Sequence, residues 1–179
     1  MYVERPTLIP STVRWQGRSP VAPRVLPDGC TDLIWTGDGL LVAGPDTVAH
    51  TSPVMPGRLL VALRFGPGVG PAVFAVPMAE LRDQRVDLGQ LAPAPVVRRI
   101  GDRLAEVTDR GDPGDVLEQE VRRFMAPPAP ITLAIADLLA HGRPVAAVAD
   151  TVGLSARQLQ RRSLEAFGYG PKLLARILR

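Results

Sequence analysis

The apolar positions of this chain change period twice along its length, and each change marks a different kind of structure. Up to about residue 76, short β-prone runs (Thr12–Gln16, Thr31–Thr36, Leu40–Ala43 and Arg58–Phe65) alternate with turn clusters. The clusters are Pro27-Asp28-Gly29, Gly37-Asp38-Gly39, Gly44-Pro45-Asp46 and Pro56-Gly57. Several short strands at this spacing predict a small sandwich or barrel. Between 93 and 125 the period becomes helical: Val97, Ile100, Leu104 and Val107 form one stripe, Leu117, Val121 and Phe124 a second, with Gly111, Pro113 and Gly114 between them. These two helices either pack on the β part or form a hairpin that pairs with a second copy.

Met125-Ala-Pro-Pro-Ala-Pro130 reads as a linker, its proline-rich part at 127–130, because three prolines there resist helix continuation and favour an extended spacer. Beyond it, Ile131–Ala140 predicts a helix ended by His141-Gly142, with glycine suited to the left-handed position past a helix end. Pro144 opens a second helix, Val145 to about Thr151, with Val145, Val148, Ala149 and Val152 on its inner stripe. Gly153 permits a tight turn, and Ser155 caps a third helix, Ala156–Phe167. There Leu159, Ala166 and Phe167 point inward, while Arg157, Gln158, Gln160, Arg161 and Arg162 are mostly outward. A helix, a short glycine turn and a capped basic helix follow helix-turn-helix grammar, and Arg and Gln can contact guanine and adenine edges. From spacing alone, an ordinary helical hairpin with a solvated basic face fits equally well.

Charge sharpens this division. Residues 1–130 carry fourteen Arg against fifteen acidic residues, net −1, whereas 131–179 carry six Arg and Lys172 against three, net +4, so the basic excess lies in the last 49 residues. A basic end points to a polyanionic partner, nucleic acid above all. No run is long and apolar enough for a membrane helix, and the N-terminus lacks the pattern of a secretory signal. The single cysteine, Cys30, forms no internal disulfide or paired-cysteine zinc site, and no cofactor is expected. A reduced, cytoplasmic protein without a membrane association follows as the expectation.

The stretch Val145-AAVADTVGLSARQLQRR-Ser163, followed by G-Y-G-P-K at 168–172, resembles the first helix-turn-helix and the start of the linker helix of AraC-type transcription regulators. Leu26-PDGCTDLIW-Thr36, Val42-AGPDT-Val48 and Leu63-RFGPGVGPAVFAVPMAEL-Arg82 resemble the sensor domain of a subset of that family. The resemblance implies an α+β protein: a small β-barrel or cupin-like sensor domain (1–92), a helical connector (93–126), the linker (127–130) and an all-α helix-turn-helix unit (131–179). It implies a promoter-binding regulator whose partners are double-stranded DNA, a small-molecule effector and a second copy in a homodimer. The implied DNA-facing residues are Ser155, Arg157, Gln158, Gln160, Arg161 and Arg162, with Lys172 on phosphate. Such domains carry two helix-turn-helix units, whereas Arg179 falls inside the expected linker helix, so either a truncated protein or a natural half-domain protein is expected. The alternative is an interaction protein that pairs with a full-length relative and binds DNA poorly. The family's aromatic, typically Phe, is replaced by Ser163, whose hydroxyl is expected to bond back to the Leu159 carbonyl and leave volume unfilled.

Three other sets of residues bear on chemistry. Asp28, Cys30 and Asp32 share one face under a period of two, near Trp35 and with Arg64 as charge partner; they either hold a cationic ligand or serve turn and sheet structure. Cys30 and His50 lack an orienting third group, so no enzymatic activity is expected. Gly66-Pro-Gly-Val-Gly70 lacks the Lys-Ser/Thr of a phosphate loop and reads as a turn.

Overall fold

In the computed structural model, residues 2–18, 24–51, 57–107 and 111–179 are described. The strands in chain order are β1 (Tyr2–Pro6), β2 (Thr12–Gly17), β3 (Arg24–Val25), β4 (Thr31–Trp35), β5 (Leu40–Ala43), β6 (His50–Thr51), β7 (Leu60–Phe65) and β8 (Arg85–Asp87). Two short helices, α1 (Gly70–Phe74) and α2 (Met78–Leu81), separate the last two strands. The rest is helical: α3 (Ala94–Val107), α4 (Pro113–Phe124), α5 (Pro130–Ala140), α6 (Val145–Thr151), α7 (Ala156–Phe167) and α8 (Pro171–Ile177). The protein is therefore α+β, with its sheet in the N-terminal half and helices after it.

Six strands form one antiparallel sheet in the order β1-β2-β7-β4-β5-β8, and β3 pairs separately with β6. The four β-prone runs all contain strands, although the last begins at Leu60 rather than Arg58. Alternation divides the central strands between two apolar layers. Leu33, Trp35, Val42, Val61, Leu63 and Phe65 face the main core, whereas Ile34, Ala43 and Ala62 gather on the opposite face with Trp15, Leu41 and Leu60.

Helices α3 and α4 close the main core. Ile100 and Leu104 of the first stripe and Leu117 and Val121 of the second are fully buried there, with Val97, Val107 and Phe124 packed around them. Both stripes are thus packed against the sheet half within the chain. Asp112 caps α4 by accepting from the Gly114 amide, and Pro113 occupies the first turn.

One charge lies inside this layer. The Glu120 side chain is fully buried and accepts from Arg99 Nε at 2.7 Å, Arg103 Nη1 and Arg123 Nη1 at 3.0 Å. Burial opposes its charge, but the guanidiniums of Arg103, Arg99 and Arg123 outweigh it and hold the carboxyl below the usual carboxylate range. Removing the carboxylate by Glu120→Ala is expected to cost about 3 kcal/mol, the low end for breaking a buried pair, because the arginines can turn to water. A folded carboxyl that titrates below its unfolded value stabilises fully above that value, about 4.3, and loses the contribution as pH falls through the carboxylate range. Urea midpoints at about pH 7 and about pH 3 check both points: the wild-type advantage over the variant shrinks at the lower pH.

Candidate functional site

Four helices, α5 to α8, build a second core from Ile135, Leu139, Val148, Ala149, Leu159, Ala166, Phe167, Tyr169 and Leu174. α6 and α7 follow the bounds read from the sequence, α5 begins one residue earlier because Pro130, assigned to the linker, occupies its first turn, and Gly142 adopts the left-handed conformation past α5. Between α6 and α7 the chain turns through Gly153, at φ 68°, and the Leu154 amide bonds to the Ala149 carbonyl at 2.9 Å.

The start of α7 is fixed on both sides. Ser155 Oγ accepts from the Gln158 amide at 3.3 Å, and Gln158 Oε1 accepts from the Ser155 amide at 2.8 Å. This reciprocal pair satisfies two amides that a helix N-terminus otherwise leaves open. Arg157, Gln158, Gln160 and Arg161 are exposed, and Arg162 is half-buried. Arg157 and Arg161 stand four residues apart and therefore on one face. Arg161 lies 3.8 Å from Glu165 in an exposed pair, whereas Arg157, Arg162 and Lys172 form no ion pair among the described residues. Lys172 is exposed in the first turn of α8. The Gln160 amide lies over the entry to α8: a Cβ at Gly170 would stand 2.8 Å from its Nε2. The structure thus brings the sequence-predicted residues onto one helix and its flank, gives Gln158 a partner within the protein, and lays the Gln160 side chain against Gly170.

The opposite side of α7 rests on the sheet half of the molecule, packed against α1 and α2. A Cβ at Gly68, in the Gly66–Gly70 turn, would come within 2.6 Å of Thr132 and 3.0 Å of the Phe167 ring, so this glycine run is a point of close backbone approach. Gly168 ends α7 in the left-handed conformation at φ 76°. Its carbonyl accepts from Arg82, and the Tyr169 hydroxyl donates to the Asp46 carbonyl.

A second cluster occupies the sheet face away from α3 and α4. Asp32 Oδ1 accepts from Trp15 Nε1 at 2.7 Å and from Arg64 Nε at 3.2 Å. Arg64 also lies 3.8 Å from Asp28 and 3.9 Å from Glu4, and its guanidinium is 5.9 Å from the Trp15 ring centre. Burial pushes the Asp32 carboxyl up, against Arg64 and the indole, which favour its charge. Asp28 Oδ1 accepts from the Cys30 amide, a turn contact. Burial, with Asp28 and Asp32 beside it, pushes the Cys30 thiol up and keeps it protonated, so it is a poor nucleophile. Trp35 lies apart, in the main core, because its odd spacing from Asp32 sends it through the sheet. Trp15 and Glu4 join the cluster through strand register, which the local sequence does not reveal. Among the described residues, no group of three His, Cys, Asp or Glu side chains is placed to hold a metal ion.

Ser163 departs from expectation. It is fully buried, and its hydroxyl has no hydrogen-bond partner among the described residues, so the bond back to Leu159 is not made. The Phe167 ring, one turn on, fills the contact toward Gly68. Ser163→Ala removes the unsatisfied hydroxyl without adding volume, and is expected to stabilise the protein by about 1 kcal/mol. A higher urea midpoint checks this; a lower one would mean that the hydroxyl is satisfied.

A family model described as a domain of unknown function (DUF6597) matches residues 10–87. The matched span runs from just before β2 to the end of β8 and includes most of the sheet-face cluster, but none of α3 to α8. No curated protein and no solved structure matches the chain.

Proposed function

We propose that the chain is a transcription regulator of the AraC type that binds duplex DNA through α7. The observation that carries this reading is the two-sidedness of α7. Leu159, Ala166 and Phe167 are spent on the helical core, while Arg157, Gln158 and Arg161 stand in solvent on a helix with a reciprocally bonded N-terminus. A helix so anchored can enter a major groove, with its first turns against base edges and neighbouring cations on phosphates. Arg162 and Lys172 take the phosphate role. The sheet half, completed as a small cupin-like barrel, is the sensor in this reading, and Asp32, Arg64, Trp15, Asp28 and Cys30 mark the face where a small-molecule effector would act. Two copies would present two recognition helices to a symmetric site in cytoplasmic DNA. No described helix is long and apolar enough to cross a membrane.

Fluorescence anisotropy with labelled duplexes drawn from a random pool tests the assignment. Binding is expected to weaken with salt, at a slope of about 0.9 in log affinity for each phosphate contacted. Arg161→Ala is expected to lose about 1–3 kcal/mol of binding free energy, with an unchanged thermal melt. Salt-insensitive binding, or full affinity in this variant, contradicts the role given to α7.

A further inference from the structure

Gln158 on α7 is used by the protein itself and the Gln160 side chain lies against Gly170, and this limits what the helix can read. Recognition of adenine by glutamine is bidentate: the amide oxygen accepts from N6 while the amide nitrogen donates to N7. The Gln158 oxygen already accepts from the Ser155 amide at 2.8 Å, in the contact that holds the helix N-terminus. Turning it to a base would break that contact and reopen a backbone donor. The Gln160 amide is directed back along the chain, over Gly170 at the entry to α8. Ser155 is the cap, and its hydroxyl accepts from the Gln158 amide.

Arg157 and Arg161 have no such obligation. Arg157 forms no ion pair among the described residues, and the exposed Arg161–Glu165 pair, at 3.8 Å, is of the kind worth little in water. Both side chains are exposed, one helical turn apart on one face. A guanidinium is donor-only, and its two parallel donors match the O6 and N7 acceptors of guanine. Adenine presents a donor at N6, which repels one arm of that fork. Side chains one turn apart are about 6 Å apart, close to two base-pair steps of about 3.4 Å.

We infer that Arg157 and Arg161, and neither glutamine, read the bases, so that the preferred ligand is duplex DNA with two major-groove guanines about two base-pair steps apart. This inference rests on the reading of α7 as a DNA-facing helix and adds its base preference.

The test is selection of binding sites from a random duplex pool by the full chain, followed by replacement of each enriched guanine with 7-deazaguanine, which lacks the N7 acceptor. Two enriched guanines are expected, and each replacement should weaken binding about tenfold. Arg157→Ala should abolish the preference at one position and Arg161→Ala at the other, with thermal melts unchanged. Enrichment of adenine, indifference to 7-deazaguanine, or a guanine preference lost in Gln158→Ala or Gln160→Ala but kept in both arginine variants would overturn the inference while leaving DNA binding intact. Absence of binding to any duplex would overturn the DNA reading and this inference with it.

Discussion

The corner between α7 and α8 is where the two halves of the molecule constrain each other. Gly168 can reverse the chain there because it has no side chain: a Cβ would lie 2.9 Å from Pro45 and 3.0 Å from the Met78 carbonyl, and its positive φ is costly for other residues. Tyr169 follows, almost fully buried, and donates its hydroxyl to the Asp46 carbonyl. Arg82 donates to the Gly168 carbonyl from the other side. The loop after β5 and the segment before β8 therefore grip the end of α7 together, and they are tied to each other by the Asp83 amide on the Pro45 carbonyl and the Gly44 amide on the Gln84 carbonyl.

Asp46 extends this grip into the sheet half. Its carboxylate accepts from Arg85 of β8 at 2.6 Å and lies 3.5 Å from His50 of β6, so one residue joins the small ribbon, the edge of the large sheet and the helical corner. The aromatic content is low, yet its placement is economical: Phe167 and Tyr169 sit at the junction, Phe65 and Phe74 meet edge to face in the main core, and Trp15 supports Asp32 on the other sheet face. A rearrangement around Asp46 would reach α7 without passing through the proline-rich linker. That gives the proposed sensor a direct route to the proposed DNA-reading helix.

The helical half was more legible in the sequence than the sheet. Ser155, Gly142, Gly153 and the inner stripes are local signals, and local signals set helix ends, so α6 and α7 emerged with correct bounds. Ser155 and Gln158 also carried the spacing of a reciprocal cap, but glutamine beside arginine on a basic helix reads first as a DNA contact. The sheet depends on pairings between distant residues. The Asp32–Arg64 pair could be guessed from charge, whereas Trp15 reaches Asp32 only because β2 and β4 both flank β7. β1 lies outside the β-prone runs because Glu4 and Pro6 are poor strand formers, although such residues suit a sheet edge. β8 and the two short helices before it are too brief to show a period. The helix stripes of α3 and α4 were visible, but not whether the sheet or a second copy would cover them.

The central claim is that α7 meets DNA with one face while its far end is held by the sheet half. Amide hydrogen exchange of the full chain, with and without a selected duplex, tests both parts at once. The account predicts that amides at 166–174 are already protected in the free protein, and that DNA adds protection at 155–162. Rapid exchange at 166–174 in the free protein, or DNA-dependent protection that avoids 155–162, would contradict it.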